Sequence, residues 1–170
     1  MIARRVAASE RKFAATELTE VEADGTFRGY ASVFGEADLG RDVMMPGAFR
    51  LSLAKRGARG VRMLLQHDPA SPIGVWQEIR EDSRGLLVRG KLTVEAERGR
   101  EVLALMRAGA IDGLSIGFKT IRSRSEPRSG LRKILEVDLW EISVVTFPML
   151  PTARVSAVKA APEMAAVDAV

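Results

Sequence analysis

The chain has no cysteine and only one histidine, His67, in 170 residues. The first absence removes disulfide frameworks, thiolate catalysis and cysteine-based zinc sites together, and it fits a reducing compartment. The second argues against a histidine-rich metal site. No apolar run approaches the roughly 18–20 residues that a membrane-spanning helix requires. The N-terminus, Met1-Ile2-Ala3-Arg4-Arg5, is basic but is not followed by an apolar core, so a secretory signal is not expected. Neither sign of charge dominates. Twenty-six Lys and Arg against 22 Asp and Glu leave a formal charge of +4, spread along the chain. Scattered arginine reads as a solvated surface, so neither a specific nucleic-acid partner nor a membrane is expected.

The length is that of one domain, large enough to bury about two-thirds of its unfolded surface without covalent staples. Residues 1–13 and 159–170 read as flexible tails, the first basic and the second rich in small residues. They flank a single domain over 14–158. Within it the pattern is mostly β. Asp24-Gly25 joins candidate strands at 16–23 and 26–34 as a hairpin turn would. Pro46-Gly47-Ala48-Phe49 opens a short helical stretch to about Lys55. Further strands are expected at 61–66, at 73–81 and 86–94 around Asp82-Ser83-Arg84-Gly85, and at 113–123 and 132–147. The main helix is expected near 95–109, with Ala96, Leu103 and Met106 on one side and Gly109 at its end. About seven strands and one main helix imply a mainly β, α+β fold: a curved antiparallel sheet or closed β-barrel with flanking helices.

Gly113-Leu114-Ser115-Ile116-Gly117 matches G-x-S-x-G. Its usual setting is a strand–turn–helix elbow with the acid and then the histidine downstream of the serine. Here no helix follows, and the histidine lies upstream, so that fold is excluded. What remains is a serine between glycines that let another group approach closely. A serine hydroxyl needs a base to take its proton, and histidine has a suitable pKa near neutrality. His67 ends an apolar strand, Leu64-Leu65-Gln66-His67-Asp68, and leads into a proline-containing loop. A third residue should orient the imidazole. Read as an unbroken strand, Leu135, Val137, Leu139 and Glu141 share a face, making Glu141 the acid on the apolar side, where a carboxylate needs a partner. A bulge near Trp140 would invert this facing. Candidate catalytic residues are therefore Ser115, His67 and Glu141, with no metal or organic cofactor required. Asp68 and Asp138 are the alternative acids, and Lys119 or Lys91 the alternative bases.

These segments together resemble the prohead proteases of tailed bacteriophages of the HK97 type, also found in gene transfer agents. The resemblance runs from about residue 29 to 155. It is carried in order by Gly29–Phe34, Arg41–Phe49, Leu64–Asp68 before Pro72-Ile73-Gly74, Gly113–Phe118 and Leu139–Pro148. It implies a serine endopeptidase that removes the scaffolding segment of the major capsid protein, and processes itself, inside the immature capsid in the bacterial host cytoplasm. It also implies a distant likeness to herpesvirus assemblins, β-barrel enzymes with a serine, a histidine and a second histidine. Here Glu141 stands where that second histidine would be expected. Self-association is a further expected property. Two alternatives are a non-enzymatic capsid-assembly or scaffolding protein retaining the fold, and a basic DNA-associated module.

Overall fold

The computed structural model describes residues 10–14 and 20–148. Period-two patterning builds its strands: in Leu86–Leu92 the side chains of Leu86, Val88 and Leu92 are buried, while those of Leu87, Arg89 and Lys91 are only partly covered. In chain order the strands are β1 (Glu10–Ala14), β2 (Glu20–Val21), β3 (Thr26–Val33), β4 (Asp42–Met44), β5 (Arg62–Leu65), β6 (Asp68–Glu81), β7 (Gly85–Leu92), β8 (Gly113–Glu126) and β9 (Leu131–Val145). Apart from the very short β2 and β4, seven strands have four residues or more. They form one sheet in the order β1-β8-β9-β5-β6-β7-β3-β2, with β4 added beside β9. The sheet curls into a half-barrel and brings β3 back toward β8.

The pairings are antiparallel except that β4 and β5 both run parallel to β9. Helix α1 (Arg50–Arg56) and the 3-10 turn Ala58–Gly60 lie between β4 and β5 and return the chain in the same direction. The expected helical stretch from Pro46 thus begins at Arg50. Residues 46–49 form a turn whose Gly47 and Phe49 N–H groups donate to the Glu81 carboxylate at 3.0 and 2.9 Å. The expected main helix is α2 (Glu97–Arg107), packed through Gly99, Val102 and Met106. Ala96, placed on that face by periodicity, is the extended N-cap and is exposed.

The core includes Phe27, Trp76, Phe49 and Phe118. Phe27 meets Trp76 edge-on, with ring centroids 5.5 Å apart. Gly90 makes room for them: a Cβ there would lie 2.7 Å from Trp76 and 2.9 Å from Phe27.

One boundary needs correction. Residues 10–13, assigned to the N-terminal tail, belong to β1, which pairs antiparallel with β8. Backbone pairing requires no apolar pattern, so Glu10-Arg11-Lys12 gave no strand signal. Residues 1–9 of that tail, and 149–170 at the other end, lie outside the described residues.

Candidate active site

Ser115 is the third residue of β8 and has a strand on each side. Phe13 of β1 is its partner in one pairing and Ser143 of β9 in the other. Leu114, Ile116 and Phe118 alternate with it and enter the core, so Ser115 and Gly117 face the other way.

Glu141 reaches that same face through an irregularity in β9. Gly117 pairs with Glu141 but Phe118 pairs with Leu139, leaving Trp140 as the extra residue of a bulge. Leu139, Ile142 and Val144 are core residues, whereas Glu141 and Ser143 lie beside Gly117 and Ser115. The expectation that Glu141 shares a face with Val137 and Leu139 is therefore incorrect. The bulge inverts the alternation and puts the carboxylate opposite the apolar side.

His67 arrives from a third element. Gln66-His67 links β5 to β6, and both residues have positive φ, 53° and 60°. Such a two-residue link normally draws Asn-Gly, and each ordinary side chain in this conformation costs roughly 1–2 kcal/mol. Neighbouring groups offset that cost. The Gln66 N–H donates to the Val144 carbonyl at 3.0 Å, and the Gln66 amide donates to the Thr146 hydroxyl at 2.5 Å. The His67 N–H donates to Ser143 Oγ at 3.1 Å.

The structure brings the three side chains into one line. Ser115 Oγ lies 2.6 Å from His67 Nε2. On the other side of the ring, His67 Nδ1 is hydrogen-bonded to Glu141 Oε1. The second carboxylate oxygen accepts a hydrogen bond from Ser143 Oγ at 2.5 Å. An ionised carboxylate only accepts, so the proton on this side belongs to Nδ1, and Nε2 presents its lone pair to the serine hydroxyl. All four residues are enclosed: Ser115 and Ser143 are 0% exposed, His67 5% and Glu141 6%.

The alternative acids and bases lie away from this line of side chains. Asp68 accepts from Ser71 Oγ at 2.6 Å and from the Ala70 N–H at 2.9 Å. These bonds hold its carboxyl below the usual carboxylate range. Asp138 pairs with Arg56 at 2.8 Å. Lys91 lies 3.9 Å from Asp24, and Lys119 is exposed beside Asp138 on β9. Among the described residues no three acidic or histidine side chains group as metal ligands would.

Two members of the site have roles that only the structure assigns. Ser143 was a signal available in the sequence, a hydroxyl two residues from the candidate acid on the same strand. Gly117 does allow a close approach, and the group that approaches it is Glu141. A Cβ on Gly117 would lie 2.3 Å from Glu141 Oε1.

The curated prohead protease of Enterobacteria phage HK97 is 38% identical over 138 residues, covering 79% of this chain and 60% of that protein. The chain thus spans about three-fifths of that relative's length. The prohead protease of Escherichia phage T5 is 25% identical over 122 residues, 71% of this chain and 57% of the relative. A capsid polyprotein of Pseudomonas phage PAJU2 is 30% identical over 105 residues, 58% of this chain and 16% of the polyprotein. Among solved structures, the bacteriophage T4 capsid assembly protease has a similar fold. It superposes with a TM-score of 0.60 at 13% identity, over 82% of this chain and 95% of that one. The caudovirus prohead serine protease profile matches residues 12–168. With that match spanning nearly its whole length, the chain belongs to the caudovirus prohead serine protease family.

Proposed function

We propose that the protein is a capsid-maturation serine endopeptidase that trims the scaffolding segment from the major capsid protein and also processes itself. It acts inside the prohead, in the host cytoplasm. No helix of the described residues is long and apolar enough to cross a membrane. Family membership supports the reading, as do the capsid-related names of the relatives.

The observation that carries it is the continuous path from Ser115 Oγ, through both nitrogens of His67, to the Glu141 carboxylate. Nε2 takes the hydroxyl proton as Oγ attacks the peptide carbonyl, and Glu141 stabilises the resulting imidazolium. The imidazolium then returns the proton to the leaving amine. This leaves an acyl ester on Ser115, which water, activated by the same imidazole, hydrolyses. Ordering by the carboxylate matters because the wrong tautomer would present an N–H to Ser115 in place of a lone pair.

Co-expression with its cognate major capsid protein, followed by intact-mass analysis, tests the reading. Wild type is expected to shorten the capsid protein at its N-terminal side and Ser115→Ala to leave it full length. Shortening by Ser115→Ala would remove Ser115 as the nucleophile. Glu141→Gln is expected to fold but cleave about a thousandfold more slowly or worse. A near-normal rate would remove Glu141 from the third role.

A further inference from the structure

We infer that Ser143 is a positioning residue, a fourth member of the site that fixes both the backbone and the tautomer of His67. The inference rests on the proposed Ser115–His67–Glu141 chemistry and adds the group that holds its geometry.

The Ser143 hydroxyl makes two bonds at once. Its proton goes to Glu141 Oε2 at 2.5 Å, and its oxygen accepts the backbone N–H of His67 at 3.1 Å. It is fully buried, so no solvent molecule replaces either bond without a rearrangement. Each bond constrains a different degree of freedom. The bond to Oε2 stops rotation of the carboxylate and keeps Oε1 directed at Nδ1 of the ring. The bond from the His67 N–H anchors a residue held at φ 60°, a conformation that the chain would otherwise relax. Ser143 is also the direct cross-strand partner of Ser115, so the same β8–β9 register that presents the nucleophile presents its support. Without the hydroxyl, a carboxylate oxygen and the His67 N–H each lose this buried hydrogen bond, and the imidazole loses a constraint on its orientation.

His67 is the only histidine, so protein labelled with 15N-histidine reports one imidazole without ambiguity. The second readout is labelling of Ser115 by a fluorophosphonate probe, with the maximal inactivation rate separated from the apparent probe affinity. Wild type is expected to show a single Nδ1–H tautomer. Ser143→Ala and the nearly isosteric Ser143→Cys are expected to mix the tautomers. Both should lower the maximal labelling rate about tenfold to a hundredfold, with probe affinity within about twofold. Ser143→Thr, which keeps the hydroxyl, should retain most of the rate. If Ser143→Ala does not fold, Ser143→Cys carries the comparison.

Wild-type labelling rates in either variant would overturn the inference, as would a slower rate with an unchanged imidazole spectrum. Ser115→Ala separates this inference from the reading beneath it. Labelling that persists in Ser115→Ala counts against the proposed nucleophile. A tautomer shift in Ser143→Ala still upholds the positioning role.

Discussion

Gly117 contributes to the site by what it lacks. A methyl group there would fall 2.3 Å from Glu141 Oε1 and 2.5 Å from its Cγ, closer than non-bonded atoms approach. Gly117→Ala must therefore turn the carboxylate away from His67. On the proposed function, cleavage of the capsid protein is expected to fall about a hundredfold, with the circular dichroism spectrum retained. Normal cleavage by this variant would show that the carboxylate can move without consequence. At this scale the sequence was most informative about residue type. A lone histidine ending an apolar strand and a serine between glycines were both visible as chemistry. The tasks of Gly117 and Ser143 were not, because each depends on which residue pairs across the strand, and register is a property of two segments together.

Elements show the same limit more sharply in β9. Period-two reading selected Glu141 by placing it with Leu139, yet the bulge opposite Gly117 puts those two residues on opposite faces. The same residue emerges because the opposite face is covered as well: Glu141 is enclosed beneath His67 and beside Ser143, so its carboxylate needs a partner there too. Single-residue bulges leave no mark in an apolar pattern this short, so the parity of a strand becomes legible only with its neighbour present. The far end of β9 is fastened differently. Arg132 forks onto buried Asp42 through two bonds of 2.8 and 2.6 Å, at the first position of the parallel β4–β9 pairing. Arg132→Ala takes this bidentate partner away from a buried carboxylate, and is expected to cost about 3 kcal/mol in urea unfolding. Replacing both residues by apolar ones should cost less than the single change. An equal or larger cost would mean that the pair acts as more than mutual compensation.

For the whole molecule, several carboxylates make folding sensitive to acid. Hydrogen bonds from Thr26 lower the pKa of Asp24, and those from Ser71 and Ala70 lower that of Asp68. At Asp82 burial opposes the shift, and bonds from the Tyr30 hydroxyl and the Gly85 and Arg84 N–H groups outweigh it. Each group binds its proton less readily when folded. The stability it contributes is complete above the unfolded value of about 3.9 and is lost as pH falls through the lower folded value. Tyr30 shifts upward, mainly through its bond to Asp82, so its share is complete below about pH 10 and lost as pH rises through the folded value. The urea midpoint should hold from neutrality to about pH 5 and drop below about pH 4. Asp82→Asn should shallow that drop, and an unchanged profile would locate the acid sensitivity elsewhere. The curled β fold was largely legible from turn dipeptides and strand patterning. Strand β1 and the parallel placement of β4 and β5 were not, since neither backbone pairing nor strand direction is written in side-chain periodicity.

The two strands that present Ser115 and Glu141 are consecutive, joined by a short turn after residue 126, whereas His67 comes from a hairpin nearly fifty positions earlier. Closing the β8–β9 hairpin needs only local contacts, while docking β5 against β9 must wait for a much larger loop to close. A nascent or partly folded chain can therefore carry the nucleophile and the acid side by side and still lack a base. Competence for the proposed hydrolysis would arrive only with the long-range β5–β9 pairing, so a chain that has not closed it would be inert.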